Sequence, residues 1–149
     1  MFKKVFTMMV VTMVMMVVCA TTVCAQPTYY WDTPQGRAER RQISMLEMKY
    51  DMTEGLYEED NFSDEKVSVS YNEETGLYEI TASWRMNDGA DSVGMNILLY
   101  DDDYEIGDVK YGCIYINGQL AMVQKGEDDI QFTEYGQGYK EALGYEEEE

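Results

Sequence analysis

The stretch Val67-Ser68-Val69-Ser70-Tyr71-Asn72-Glu73-Glu74-Thr75-Gly76-Leu77-Tyr78-Glu79-Ile80-Thr81-Ala82-Ser83-Trp84-Arg85-Met86 decides the fold class. Val67, Val69 and Tyr71 alternate with serines, and Tyr78, Ile80, Ala82, Trp84 and Met86 alternate with Glu79, Thr81, Ser83 and Arg85. Side chains along a strand point to opposite faces in turn, so each run predicts a strand with one buried and one wet side. Between them, Asn72 to Gly76 has the side chains of a turn. The stretch is a β-hairpin.

The pattern continues toward the C-terminus. Asp88-Gly89 marks a turn within Asn87 to Ser92, Val93 to Tyr100 is a third apolar run, and Asp101 to Asp108 is an acidic connection. Asn117-Gly118 is the favoured loop of a tight hairpin, because both positions adopt positive φ. That register sets Ile116 against Gln119, Tyr115 against Leu120, Ile114 against Ala121 and Cys113 against Met122. One face would collect Tyr111, Cys113, Tyr115, Leu120 and Met122, the other Ile114, Ile116, Ala121 and Val123. Neither is plainly wet. The expectation is a pair covered on both sides, by another sheet, by the N-terminal segment or by a partner chain, a second copy included. Lys125 to Asp129 turns again and Ile130 to Thr133 forms a short last strand.

Toward the N-terminus the reading divides. Thr33-Pro34 suits the start of a short helix through Arg41 in a polar segment 26–42. After it Leu46, Met48, Tyr50 and Met52 alternate with charged residues and predict a strand, with a continued helix as runner-up because Ile43, Leu46 and Tyr50 also recur at helical spacing. Gly-Leu-Tyr-Glu occurs at Gly55 to Glu58 and again at Gly76 to Glu79, and both copies read as entries from a turn into a strand. With six or seven short strands, residues 43–135 are expected to be an all-β domain: a single antiparallel meander forming a small sandwich or partly closed barrel. Residues 136–149, punctuated by glycines and ending in Glu146 to Glu149, are expected to be a disordered acidic tail.

Residues 1–25 read as a leader rather than as part of the fold. Lys3 and Lys4 precede an uncharged apolar run from Val5 to Val18, and Val23-Cys24-Ala25 offers small residues before Gln26, the layout of a cleaved secretory signal peptide. Lipidation at Cys19 or Cys24 and retention of Val5 to Ala25 as an anchor are the competing readings. Cleavage would leave 124 of the 149 residues, move the net charge from -18 to -20 and keep one cysteine, Cys113, of three. No internal disulfide can then form, and no stable membrane span remains. A cystine-free exported domain fits the bacterial periplasm, cell surface or exterior.

Composition excludes several chemistries. The chain has no histidine, so Ser-His-Asp and Cys-His nucleophile activation and histidine zinc motifs are closed. Its negative charge disfavours nucleic acid, whose binding depends on Lys and Arg displacing counterions. Ser63-Asp64-Glu65-Lys66 matches Ser-x-x-Lys without its companion motifs, and Gly89 to Gly94 falls one residue off Gly-x-Ser-x-Gly. Neither carries a role.

The remaining candidates are carboxylates and aromatics. Asp101, Asp103 and Glu105 alternate in an acidic loop, and such oxygens suit calcium, the expected cofactor if there is one. Tyr29, Tyr30 and Trp31 are the candidate exposed ligand-binding aromatics, while Trp84 belongs to an apolar stripe. Glu79 and Glu47, each expected on a wet strand face, are candidate carboxylates for glycoside hydrolysis. The leading expectation is an exported non-catalytic β-domain that binds a protein partner or glycan. The alternatives are a small carbohydrate-active hydrolase and a calcium-stabilised adhesion module.

Overall fold

A computed structural model describes residues 30–86, 89–102 and 105–145, with the backbone alone at 102 and 105–108. The leader 1–25, Tyr29, the Asn87-Asp88 part of the turn, Asp103 and Glu146 to Glu149 lie outside the described residues.

The hairpin read from the sequence is the first of a continuous meander. Helix α1 (Pro34–Tyr57) precedes strands β1 (Ser63–Asn72), β2 (Leu77–Met86), β3 (Asp91–Asp102), β4 (Glu105–Ile116), β5 (Gln119–Lys125) and β6 (Asp129–Phe132), and a short helix α2 (Glu134–Gln137) follows. The strands form one antiparallel sheet in the order β1-β2-β3-β4-β5-β6. The chain is therefore mostly β, as expected. The sheet is open, neither a sandwich nor a barrel, because its inner face is covered by helix and C-terminal chain instead of by a second sheet.

Val67, Val69 and Tyr71 of β1 lie across from Ala82, Ile80 and Tyr78 of β2 on that inner face. Trp84, Ile80, Ile97, Ile114 and Ile116 are almost fully buried there, in one cluster with Met48, Met52 and Leu56 of α1. Burying a side chain of this size contributes about 1.5–3 kcal/mol.

The strand expected over residues 46–52 is instead the middle of α1. Met48, Met52 and Leu56, four apart, form its buried face, whereas Leu46 and Tyr50 are exposed. The alternation was thus the trace of two different helix faces. Thr33 caps the first turn, accepting a 3.0 Å hydrogen bond from Gly36 N, and Pro34 follows. A side chain at Gly36 would strike the Tyr30 carbonyl, with its Cβ 2.0 Å from the oxygen. The first Gly-Leu-Tyr-Glu copy accordingly ends a helix, and only the second enters a strand.

The Asn117-Gly118 loop is as read, with φ of +50° and +78°. Beyond Tyr115–Leu120 the expected register fails: Ile114 pairs with Met122 and Cys113 with Val123. A bulge takes up the extra residue. Ala121 carries its carbonyl to Thr133 N (2.9 Å), and the Thr133 hydroxyl donates to Leu120 O (2.8 Å). Met122 thereby moves to the inner face and Val123 to the outer.

Residues 136–145 are not a disordered tail. Leu143 is fully buried in the core cluster, Tyr135, Tyr139 and Tyr145 pack against that cluster, and Tyr145 meets Phe132 edge-on at 5.1 Å. Apolar residues spaced through this glycine-rich stretch supply burial that its acidic composition conceals.

Candidate outer sheet-face site

The outer face is built row by row from the strand register. Asn72, Leu77 and Tyr100 form one row; Ser70, Glu79, Leu98 and Tyr111 the next; Ser68, Thr81, Asn96, Cys113, Val123 and Gln131 the third; Lys66, Ser83, Gly94, Tyr115 and Leu120 the fourth. The β1–β2 half is hydroxylic and the β3–β5 half aromatic and aliphatic. Tyr100 and Tyr115 remain 45% and 42% exposed, which leaves ring surface available to a ligand.

Charges of both signs share this face with the rings. Lys110 Nζ sits 5.8 Å from the centre of the Tyr100 ring, while Lys66, Arg85 and Lys125 are exposed on the same face. Arg85 donates to Gly89 O at 3.1 Å and its Nε lies 3.6 Å from Asp64. In the centre, Asn96 donates to Glu79 at 2.7 Å, a pair that fixes the carboxylate beside Thr81. Such an arrangement offers stacking surface and directed donors together, with Lys110 beside one ring.

Two features give the face relief. At Gly94 a Cβ would meet nothing within 4 Å, so the absent side chain leaves a dent beside Tyr115. Next to it, Asp64, Glu65, Lys66, Ser83, Arg85 and Ser92 line an open cleft of about 570 Å³. Its rim follows from the irregular start of β1, where the register shifts between Ser63 and Lys66 and Asp64 takes φ +56°.

Cys113, at the centre of the face, is buried beneath its neighbours. Burial pushes its thiol pKa up, against smaller opposing effects of hydrogen bonds with the Asn96 backbone and Tyr115. It therefore stays protonated at neutral pH and lacks the thiolate character of a nucleophile.

The residues singled out from the sequence lie elsewhere. Tyr30 and Trp31 contact each other edge-on at 5.3 Å, and Arg40 of α1 stacks over Trp31 at 5.1 Å. A hydrogen bond from its hydroxyl to Glu39 raises the Tyr30 pKa, with burial and the same carboxylate's charge adding to it. These aromatics fold against the start of α1 and do not join the sheet tyrosines.

Asp101 accepts 2.8 Å from the Tyr71 hydroxyl and pairs with Arg41 Nε at 3.5 Å, and Arg41 stacks over the Tyr71 ring at 4.3 Å. It ties α1 to β1 and β3. Of its two proposed calcium partners, Asp103 lies outside the described residues and Glu105 is described by backbone alone. Among the described residues no three His, Cys, Asp or Glu side chains form a metal-binding group. Glu47 and Glu79 do not converge: Glu47 rides on the helix that covers the inner face, and Glu79 stands on the outer face.

The sheet tyrosines were visible in the sequence as the apolar hairpin without a wet face. Their grouping with Tyr100, Lys66 and Arg85 was not, because it depends on pairing across four strands.

Comparison with protein-family models, curated proteins and solved structures finds no match for this chain. Its class is thus defined by architecture alone: among the described residues, an open six-stranded antiparallel meander backed by one long helix. Among the described residues no helix is long and apolar enough to cross a membrane.

Proposed function

We propose that this protein is an exported, non-catalytic domain that binds a glycan carrying carboxylate groups on its outer sheet face, at the cell envelope or outside the cell. The observation that carries the reading is the exposed surface of Tyr100 and Tyr115, with Lys110 beside the Tyr100 ring and Lys66, Arg85 and Lys125 on the same face as Glu79, Asp64 and Asp129, in a chain whose net charge is -18. A strongly acidic protein repels acidic ligands everywhere except where cations concentrate. Sugar rings stack on tyrosine faces, while Ser83, Thr81, Asn96 and the cleft beside Gly94 offer polar groups for ring hydroxyls. The leader pattern supports export, and the absent histidine and protonated Cys113 support binding without chemistry.

The test is a binding screen of acidic against neutral oligosaccharides, run alongside reducing-sugar release. Acidic glycans are expected to bind and to weaken with salt, without new reducing ends. Tyr115→Ala should weaken binding at least tenfold. Gly94→Val should block the dent while keeping or raising stability by about 0.5–1 kcal/mol, since glycine weakens a strand interior. Equal binding by wild type and both variants overturns the assignment, and a protein ligand lost with Tyr115→Ala would reassign the face to a protein partner. N-terminal sequencing of the exported product should begin at Gln26.

A further inference from the structure

Helix α1 carries an apolar stripe that the fold does not use. Ile43, Leu46, Tyr50 and Tyr57 are 48%, 69%, 60% and 80% exposed, a concentration of large apolar side chains unmatched elsewhere on the described surface. At about 100° per residue they lie together, roughly 140° around the helix from the buried Met48, Met52 and Leu56. Their spacing is three, four and seven, with Thr53 at the intervening position, so Ile43, Tyr50 and Tyr57 occupy a positions and Leu46 and Thr53 d positions of successive heptads. The seam runs about 21 Å and stops at Glu39, which would fill the preceding d position.

We infer that this stripe is the contact between two copies of the chain, paired as parallel helices about a twofold axis along α1. Three observations select a second copy in this orientation. β-branched Ile43 at a with Leu46 at d is the combination that favours two parallel strands. Lys49 occupies a g position and Glu54 the e position five residues later, so parallel pairing sets each Lys49 beside the other copy's Glu54. Antiparallel pairing would instead bring e against e and g against g, and the register that sets Lys49 against Lys49 also sets Glu47 against Glu47 and Arg40 against Glu54. Its like-charge contacts offset its attractive ones, whereas parallel pairing has attraction alone at Lys49 and Glu54.

The geometry is compatible with the rest of the molecule. Because the seam lies nearly opposite the buried face of α1, each sheet projects away from the axis. Both outer sheet faces stay uncovered, so the pairing stands independently of any ligand bound there.

Sedimentation or light scattering of the purified protein over a concentration series tests this. A reversible dimer is expected, and Leu46→Glu should abolish it while circular dichroism stays unchanged, because Leu46 makes no core contact. Lys49→Glu and Glu54→Lys should each weaken the dimer about tenfold by turning attraction into repulsion on both flanks. The double variant K49E/E54K should restore wild-type affinity. A strict monomer at high concentration, or a dimer that survives Leu46→Glu, overturns the seam. Failure of the double variant to restore affinity overturns the parallel register.

Discussion

Gly136→Ala sets two physical effects against each other, and the structure decides their sign. Gly136 lies in α2, where helix propensity alone favours alanine over glycine by about 1 kcal/mol. An alanine Cβ there would stand 1.8 Å from the Ala121 carbonyl oxygen and 2.6 Å from its carbon, where carbon contacts normally begin near ~3.5 Å. The obstacle is backbone in the bulge of β5 and cannot rotate away.

Relief requires the C-terminal segment to lift. Lifting exposes Leu143, worth about 1.5–3 kcal/mol. It also strains the hydrogen bonds from Thr133 N to Ala121 O, from the Thr133 hydroxyl to Leu120 O and from Tyr135 to Ile116 O, each contributing about 0.5–1.5 kcal/mol. Less the ~1 kcal/mol propensity gain, the expected loss is about 2–6.5 kcal/mol, a large share of the roughly 5–15 kcal/mol typical of a domain. Urea unfolding followed by fluorescence of the buried Trp84 reports the midpoint, and limited proteolysis reports early cleavage within residues 134–145. A Gly136→Ala protein as stable as wild type, with an equally protected C-terminus, would refute the close approach.

Asp101 should brace β3 against β1 through Tyr71 and tie α1 to the sheet through Arg41: Tyr71→Phe and Asp101→Asn are each expected to cost about 1 kcal/mol, and a double-mutant cycle in urea should show the losses to be non-additive. Burial pushes the pKa of Tyr78 up to about 12, reinforced by the Asp101 charge, and burial alone does the same for Tyr145. Both pKa values are raised on folding, so the unfolded chain gives up these protons first. Stability is expected to be unaffected by them below pH 10 and to fall progressively between pH 10 and 12, which alkaline unfolding at fixed urea measures; a flat profile over that window would contradict the burial of both hydroxyls.

Several parts of the structure were legible from residue order because they depend on neighbours in sequence. The first hairpin follows from alternation along each strand, and the Asn117-Gly118 turn from local backbone sterics. The helix also had local signals, in Thr33-Pro34 and the helical spacing of Ile43, Leu46 and Tyr50, but a competing alternation pointed to a strand over the same residues. The Gly-Leu-Tyr-Glu tetrapeptide ends a helix once and starts a strand once. Four residues do not carry enough local preference to override what they pack against.

By itself, then, the sequence determined an antiparallel meander, the leader pattern, the histidine-free chemistry and the charge imbalance, all of which are properties of composition or of short-range periodicity. Only the tertiary structure decided that the sheet stays open under a helix, that Ala121 bulges and sends Val123 outward, that Leu143 anchors the last residues, and that Tyr100, Tyr115, Lys66 and Arg85 share one face. Each of these depends on which strands become neighbours. That pairing is set by burial summed over the whole sheet, a quantity no short stretch of the chain contains.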